Sequence, residues 1–397
     1  MSKTANSTYT DWIRSELDQL QARDQFREIP CVDRGADLRL LVNGTPLLNL
    51  ASNNYLGLAG DPTMVQAAKN ALDEYGTSSG ASRLVTGNYA PYDILDQKIA
   101  EFKSTESALT LGSGFTANLA IFAALCDRHT VVFSDRLNHA SIIDGIQLSG
   151  AKHVRYRHND MDHLRTCLEK HQGAPRKILA TDTVFSMDGD VAELARIAAL
   201  CKEFGVFSVV DEAHATGVFG ADDTGQGMTS ELGLMDEIDL HMGTFSKGLG
   251  SYGAYVAGKQ DTIDLIRNKG RSFIYSTALP PAVVAANLAA LELMKDPEPS
   301  ARLRTLSAEI RAFLETLGFD LMGSTTQIIP VLIGDNADAV RAKEFLMERG
   351  LYVAAIRPPT VPEGTARLRL SMRADLANED IELIKASFTE LAKDILK

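Results

Sequence analysis

Two short segments place acidic, basic and hydroxyl side chains directly after apolar runs that are typical of strands. The run FSVV leads into Asp211, with His214 three residues later, and the run IDLHMGT is followed by Ser246 and Lys247. A lysine among small and hydroxyl residues, held near an acid on a neighbouring strand, suits a Schiff base to pyridoxal phosphate, because the acid can keep the pyridine nitrogen protonated. These segments therefore favour a pyridoxal-phosphate site at one edge of a sheet.

Each residue of this set has an ordinary interpretation when it is taken alone. Lys247 would be a surface lysine, and Asp211 would cap the end of a strand. Together, on two successive strand ends and 36 positions apart, they favour the functional interpretation. The hydroxyls and the glycine-flanked helix start at Gly114 would then bind the phosphate.

The segment LGSGFTA offers an alternative chemistry. It reads GxGxxA after a predicted strand, and Asp135 follows 23 residues after Gly112, as in a dinucleotide-binding fingerprint. A nicotinamide-dependent (NAD) dehydrogenase is therefore the remote alternative. The plainer interpretation is that the glycines let a strand turn tightly into a helix, and the dehydrogenase leaves Lys247 unexplained.

A second run, HNDMDH, could be taken for a set of metal ligands, because it contains His158, Asp160, Asp162 and His163. Side chains of this kind also cap helices from solvated loops, and we favour that interpretation. The four cysteines lack the CxxC spacing of a structural zinc or redox site and indicate a reducing compartment. We therefore predict no metal site.

The overall charge excludes some classes of protein. The chain has 397 residues, of which 45% are apolar and 23% charged, and its net charge is −12. Sequence-independent binding to nucleic acid or to a membrane surface needs a basic footprint, which a chain this acidic does not provide. Neither an apolar stretch of about 18 residues nor a leader pattern is visible, so we expect a cytoplasmic protein.

Short β-rich runs alternate with helical segments from about residue 105. This alternation predicts an α/β fold with a mostly parallel central sheet and helices on both faces, and ligands of such sheets collect at the carboxyl ends of the strands. The runs are SALTL (107–111), TVVFS (130–134), KILATDTV (177–184), VFSVVDE (206–212), IDLHMGT (238–244) and YGAYVAG (252–258).

The two ends of the chain have a different pattern. Ile13, Leu17 and Leu20 predict one helix, which is followed by the short apolar stretch LRLLV. After a break at DPEPS, two helical stripes flank the strand candidates IIPVLIG (328–334) and ARLRLSM (366–372). We therefore divide the chain into an amino-terminal arm (1–50), a large cofactor domain (51–295) and a small carboxyl-terminal α+β domain (296–397).

The chain resembles the fold-type I pyridoxal-phosphate enzymes of the α-oxoamine synthase family. The resemblance extends over nearly the whole chain, in long motifs that occur in the family's order. The motifs are SNNYLGL (52–58), SGFTAN (113–118), LNHASIIDG (137–145), VFSMDGD (184–190), VDEAHATGVFG (210–220), GTFSKGLG (243–250), IYSTALPP (274–281) and IRPPTVPEGTARLRLS (356–371).

The resemblance implies a role for each matching residue. Lys247 binds the cofactor and acts as the base, and Asp211 pairs with the pyridine nitrogen. His214 bonds the phenolic oxygen of the cofactor, while His139 stacks on its ring. The other implied cofactor-binding positions are Gly114, Phe115, Ser186 and Thr244, with Ser276 or Thr277 reaching the phosphate of the neighbouring subunit.

The resemblance also implies the substrates and the assembly. Asn53 and Arg369 would hold the amino-acid carboxylate, and Thr360 and Arg27 match positions associated with the acyl substrate. The expected reaction joins L-alanine to pimeloyl-CoA or a pimeloyl carrier protein, with loss of carbon dioxide and free thiol, in biotin biosynthesis. A homodimer with shared active sites is expected. Serine palmitoyltransferase and glycine C-acetyltransferase activities, which share the central motifs, stay as alternatives.

Overall fold

A seven-stranded sheet runs through the computed structural model, which describes residues 4–23, 25–27, 29–35 and 37–395. The strands are β1 (Arg39–Val42), β2 (Thr45–Asn49), β3 (Ser107–Leu111), β4 (Thr130–Asp135), β5 (Lys152–Tyr156), β6 (Arg176–Asp182), β7 (Phe207–Asp211), β8 (Leu240–Thr244), β9 (Ala254–Gly258), β10 (Ile328–Gly334), β11 (Leu351–Tyr352), β12 (Ala354–Ile356) and β13 (Ala366–Ser371). The order in the large sheet is β3-β9-β8-β7-β6-β4-β5, and β9 alone among them runs antiparallel to its neighbours. The predicted mostly parallel sheet is confirmed.

Helices cover both faces of this sheet. They are α1 (Thr4–Ala22), α2 (Pro62–Tyr75), α3 (Ala90–Phe102), α4 (Gly114–Leu125), α5 (Ala140–Ser149), α6 (Met161–Lys170), α7 (Leu194–Phe204), α8 (Met228–Glu231), α9 (Gln260–Lys269), α10 (Arg271–Ile274), α11 (Pro281–Leu293), α12 (Glu298–Thr316), α13 (Asn336–Glu348) and α14 (Asn378–Ile395). Because side chains alternate along a strand, Val209 packs into one apolar cluster with Ile121 of α4, whereas Val210 packs into another with Ile197 of α7. Each face of the sheet therefore has its own apolar core.

Two smaller sheets lie outside the large one. Strands β10, β13 and β12 form an antiparallel sheet near the carboxyl terminus. The third sheet joins the two ends of the chain, because β2 pairs with β1 on one side and with β11 on the other. The predicted arm therefore contributes strands that pair with the carboxyl-terminal part, while the three domain boundaries stay a prediction.

The strand predictions agree with the structure to within about two residues at each end. No apolar run marks β5, whose segment KHVRY is mostly polar and lies at the sheet edge, with one fully buried side chain, Tyr156. An edge strand has a neighbour on one side only, so it does not need an apolar pattern. The helix around Ile13 is confirmed as α1, and the carboxyl-terminal stripes are confirmed as α12 and α14. Among the described residues, no helix combines the length and apolarity needed to cross a membrane.

Candidate active site

The carboxyl ends of β7 and β8 and the start of α4 enclose a cavity of about 210 Å³. Asp211 is the last residue of β7, and Lys247 lies three residues after the end of β8. The parallel pairing of the two strands brings these ends to the same edge of the sheet. The walls are Ser113, Gly114, Phe115, His139, Ser141, Asp182, Asp211, Ala213, His214, Met242, Thr244, Ser246 and Lys247.

Two glycines allow the loop after His214 to pack against the loop after Lys247. A Cβ at Gly248 would lie 2.5 Å from the carbonyl oxygen of Thr216, and a Cβ at Gly217 would lie 3.2 Å from the backbone of Gly248. Gly217 also has φ +86°, which side chains other than glycine rarely adopt. The close approach of these loops holds the lysine beside the acid and the imidazole.

Asp211 is a buried carboxylate with two neutral hydrogen-bond donors. One oxygen accepts from Asn118 Nδ2 at 2.9 Å, and the other accepts from the backbone N–H of Ala213, also at 2.9 Å. Asn118 lies on α4 and bonds the hydroxyl of Ser141 as well. These contacts fix the carboxylate at the cavity wall.

The cavity wall contains one lysine, Lys247, and a second acid besides Asp211, namely Asp182. Lys247 and Asp182 influence the pKa of each other. Burial lowers the pKa of Lys247 to about 8, although Asp211 and Asp182 oppose this shift. Burial and the neighbouring Asp211 hold the pKa of Asp182 well above its usual range. Asp182 is paired with Asp211 in the sheet register, and its raised pKa favours the protonated form of the Asp182 carboxyl beside Asp211.

His139 and His214 approach the cavity from different elements. His139 caps α5, and its backbone N–H donates to Asp182 at 2.8 Å while Nδ1 contacts the hydroxyl of Ser141 at 2.7 Å. Burial lowers the pKa of His139, and it lowers that of His214 far more. In His214, Nδ1 lies 2.7 Å from the hydroxyl of Tyr55. Both rings are therefore neutral imidazoles at neutral pH.

The start of α4 provides an anion-binding end. Ser113 caps the helix, and Ala117 makes the first intrahelical hydrogen bond to the Ser113 carbonyl. Gly114 and Phe115 precede that bond and line the cavity, so their amides are placed to bind an anion. The hydroxyl of Thr244 lies in the same wall, where it donates to the Gly253 carbonyl at 2.7 Å.

Arg369 is buried and pairs with the partly exposed Asn53. Both terminal nitrogens of Arg369 donate to Asn53 Oδ1 at 3.3 Å, and its Nε donates to the carbonyl of Ser186 at 2.6 Å. The hydroxyl of Ser371 accepts from the same guanidinium. The structure therefore brings these two residues together with Ser186.

A second cavity of about 440 Å³ has Ser186 and Thr360 in its walls. Leu137, Phe185, Met187, Met322, Val361 and Pro362 supply apolar surface to it. Arg27, although it lies in the amino-terminal segment, donates to the Thr360 hydroxyl at 3.0 Å. The predicted acyl-substrate pair is therefore in direct contact.

Ser276 and Thr277 lie outside both cavities. Their side chains are exposed and line a small cleft with Gly112 and Arg83. Their expected contact with a neighbouring subunit stays a prediction.

The alternative sites of the sequence analysis do not form. The buried carboxylate of Asp135 accepts the backbone N–H groups of Leu137 and Asn159 and contacts His158, so it is used within the protein and cannot bind a ribose. The capping interpretation of HNDMDH is right for Asp160, which accepts the N–H of His163. It is wrong for His158, which bridges Asp135 and Asp190.

Burial would lower the pKa of His158, but these two carboxylates raise it to about 10. No cluster of three potential metal ligands occurs within the part of the chain that the structure describes.

Three wall or support residues were missed by the sequence reasoning. Asn118 and Tyr55 lie inside the motifs SGFTAN and SNNYLGL, but an amide and a phenol have too many ordinary roles to stand out. Asp182 ends β6 as Asp211 ends β7, and an acid near the end of the predicted run KILATDTV was the available signal.

Comparison with known proteins gives a consistent result. Residues 45–386 match the family model for aminotransferase class I and II. The chain is 49% identical over 381 residues to the 8-amino-7-oxononanoate synthase of Geobacter metallireducens, covering 95% of this chain and 97% of that relative. The match to this relative therefore extends along almost the full length of both chains.

Two solved structures share the fold. A serine palmitoyltransferase variant from S. paucimobilis with a bound PLP–myriocin aldimine has a TM-score of 0.91 and 31% identity, covering 98% of each chain. The 8-amino-7-oxononanoate synthase from Francisella tularensis has a TM-score of 0.74 and 26% identity, covering 88% of this chain and 99% of that one.

Proposed function

The chain belongs to the aminotransferase class I and II family and, within it, to the α-oxoamine synthases, and from this premise we propose that it condenses L-alanine with a pimeloyl thioester. The products are 8-amino-7-oxononanoate, carbon dioxide and free thiol, in biotin biosynthesis. One cavity that holds Lys247, Asp211, His139 and His214 supports this proposal most strongly. The dehydrogenase alternative is wrong, because Asp135 is engaged within the protein.

The 210 Å³ cavity fits pyridoxal phosphate in its donor set. An amine and a carboxylate stand at the strand ends, and the amides of Gly114 and Phe115 stand at a helix start that favours a phosphate. When bound, this cofactor withdraws electrons from the Cα of an attached amino acid, so that the carbon can lose a proton or carbon dioxide. The residues of this cavity that we propose to hold it are Lys247, Asp211, His214, His139, Gly114, Phe115 and Thr244, and Ser186, which lines the 440 Å³ cavity instead, would approach the ring from there.

Lys247 is suited to covalent binding and to proton transfer. With its pKa near 8, the amine is partly neutral at neutral pH and acts as a nucleophile and as a base for the Cα proton. Asp211 would keep a proton on the pyridine nitrogen, and its two neutral donors leave its negative charge available for that task. His139, which caps the start of α5, would cover one face of the cofactor ring.

Arg369 and Asn53 would hold the amino-acid carboxylate. A guanidinium can bind a carboxylate through two parallel hydrogen bonds, which fixes the orientation of the substrate as well as its position. Arg369 is nearly fully buried, so this interaction is only weakly screened by water. Arg369 and Asn53 must later release this carboxylate, because it departs as carbon dioxide.

We propose that the 440 Å³ cavity takes the acyl chain of the thioester. Its apolar side chains suit a methylene chain, and Thr360, which lines the cavity, accepts a hydrogen bond from Arg27. Ser186 links this cavity to the proposed carboxylate-binding pair, because it lines the cavity and its carbonyl accepts a hydrogen bond from Arg369. The thioester carrier would be coenzyme A or a carrier protein.

We also propose a homodimer with shared active sites. Large apolar side chains are exposed around the start of α4 and the IYSTALPP segment, among them Leu84, Val85, Phe115 and Tyr275. A patch of this kind is typical of a protein interface. Ser276 and Thr277 would then reach the partner's phosphate. A cytoplasmic location fits the cysteines, which are all free thiols.

The test is a panel of acyl thioesters crossed with amino acids. The purified chain, loaded with pyridoxal phosphate, is given pimeloyl, palmitoyl or acetyl thioesters with L-alanine, L-serine or glycine, and thiol release and product mass are measured. We expect the pimeloyl and alanine pair to be fastest and to give 8-amino-7-oxononanoate. Preference for palmitoyl with serine, or for acetyl with glycine, would contradict the proposal.

A further inference from the structure

Tyr55 is a fully buried tyrosine that contacts the site without lining the 210 Å³ cavity. Its hydroxyl lies 2.7 Å from Nδ1 of His214 and 3.2 Å from Oδ1 of Asn53. It therefore stands between the imidazole that faces the cavity and the amide that holds Arg369. A residue in this position acts through its neighbours.

The surroundings of the Tyr55 hydroxyl decide where its proton points. Burial raises the pKa of Tyr55, and the nearby guanidinium of Arg369 and amide of Gln327 oppose this shift, so the phenol keeps its proton. Asn53 Oδ1 already accepts two hydrogen bonds from Arg369. Two acceptors therefore compete for the single Tyr55 proton, and His214 Nδ1, at 2.7 Å, is closer than the doubly bonded Asn53 Oδ1, at 3.2 Å, so the hydroxyl donates to His214 Nδ1.

His214 carries one ring proton. Burial holds its pKa well below the usual range, and the positive charges of Lys247 and Arg369 act in the same direction. A neutral imidazole has one nitrogen that donates and one that accepts. If Nδ1 accepts from Tyr55, the proton is on Nε2, the nitrogen left for the cavity.

We propose that Tyr55 is a positioning residue that fixes the tautomer of His214, with its N–H at Nε2 directed into the cofactor cavity. The inference rests on the proposed function, in which His214 bonds the phenolic oxygen of pyridoxal phosphate. That oxygen is an acceptor when it is ionised, so the bond needs a donor on His214. Without Tyr55 the ring would populate both tautomers, and one of them offers no donor.

The first test compares Tyr55→Phe with a matched control, Tyr255→Phe. Tyr255 is equally buried, and its hydroxyl contacts Thr216 at 3.1 Å, but it lies outside the cavity walls. We expect Tyr55→Phe to shift the visible absorbance band of the loaded protein and to lower kcat about tenfold, the loss of one hydrogen bond, with the alanine KM changed less than about twofold. Tyr255→Phe should keep the band.

A double-mutant cycle shows whether Tyr55 acts through His214. In a His214→Asn background, Tyr55→Phe should add no further change to the absorbance band. An additive shift, or an unshifted band in Tyr55→Phe itself, would overturn the inference. A wild-type protein that takes up no cofactor would instead contradict the proposed function.

A measurement on the wild-type protein tests the tautomer of His214 without any change at Tyr55. Histidine labelled with ¹⁵N reports which ring nitrogen carries the proton, and the His214 signals are those lost in His214→Asn. We expect the proton on Nε2 both with and without cofactor. A proton on Nδ1 of His214 would overturn the inference.

Discussion

Asp211 and Glu212 are consecutive buried acids at the end of one strand, yet they face opposite sides of the sheet. Asp211 points to the cavity and to Asn118 of α4. Glu212 points to Lys103, which follows α3, and neither Lys103 nor Glu212 has any exposed side-chain surface. The alternation of side chains along the chain separates the two acids.

The partners of the two acids differ in charge. Glu212 is bonded by the Lys103 ammonium and by both the N–H and the hydroxyl of Thr229, at 3.0 and 2.9 Å. Burial would raise the pKa of Glu212, but Lys103 and His241 outweigh burial and lower it. The negative charge of Glu212 is therefore balanced by hydrogen-bond and ion-pair partners inside the protein.

Asp211, by contrast, has neutral donors and faces an amine across a cavity. Residue type alone therefore does not distinguish a structural acid from a catalytic one. The charge of the hydrogen-bond partners distinguishes them, because Glu212 is bonded by an ammonium and Asp211 by neutral groups. Substitutions on the Glu212 face should therefore lower stability, and substitutions on the Asp211 face should lower activity.

The largest expected effect is on the Asp211 face, in Lys247→Ala. Loss of the nucleophile and base should lower turnover about 10⁴-fold, while the thermal midpoint changes by less than about 2 °C. Thiol release and thermal unfolding measure the two quantities. Lys259→Ala, at an exposed lysine beside α9, is the control and should keep full activity. More than a tenth of the activity in Lys247→Ala would place the base elsewhere.

The second effect is on the Glu212 face, in Lys103→Ala. Removing one partner of a fully buried ion pair should lower the free energy of unfolding by about 3–5 kcal/mol. Lys98→Ala breaks an exposed pair with Glu101, which water screens, and should leave the urea midpoint almost unchanged. Urea unfolding compares them, and equal midpoints would show that the buried pair is not structural.

Asp211→Asn keeps the shape of the side chain and removes its charge. We expect turnover to fall about 10²- to 10³-fold, because an amide cannot keep the pyridine nitrogen protonated, with unfolding free energy changed by less than about 1 kcal/mol. Steady-state rates and urea unfolding of the same preparation are compared. If stability fell as far as in Lys103→Ala, the division between the two faces would be wrong.

Arg369→Lys keeps a positive charge but removes the planar guanidinium with its parallel N–H donors. The KM for L-alanine should rise about 10- to 100-fold, because an ammonium cannot make two parallel bonds to a carboxylate, whereas the dissociation constant of the cofactor should hardly change. Alanine titration and cofactor titration separate the two effects. An unchanged KM would show that the carboxylate binds elsewhere.

The smallest effect is the pH dependence of cofactor capture by Lys247. Its pKa of about 8 means that the amine is protonated below that pH and nucleophilic above it. The rate of covalent capture should therefore rise with pH and level off above about pH 8, whereas an ordinary lysine would continue to gain reactivity toward its usual pKa. Stopped-flow absorbance after mixing with pyridoxal phosphate measures this rate. A rise that continues to pH 10 would contradict the depressed pKa.

Elements that obey a simple pattern could be predicted from the sequence. The buried parallel strands are apolar runs that end in chemistry-bearing residues, so Asp211, Lys247 and the helix start at Gly114 were found together. The edge strand β5 was missed, because its polar side chains face solvent.

Contacts between distant segments could not be derived from spacing. The bond from Arg27 to Thr360, the pair of Arg369 with Asn53 and the contact of Tyr55 with His214 join segments more than 150 residues apart. Local periodicity carries no information on such pairs. The resemblance to a family supplied the substrate residues, and the structure supplied Tyr55.

The most direct test of the account is the identity of the lysine that binds the cofactor. The protein loaded with pyridoxal phosphate is reduced with borohydride and digested, and the labelled peptide is identified by mass spectrometry. We expect a single pyridoxyl label on Lys247, in the peptide containing GTFSKGLG, with loss of the visible band. A label on another lysine, or a protein that acquires no band and no label, would contradict it.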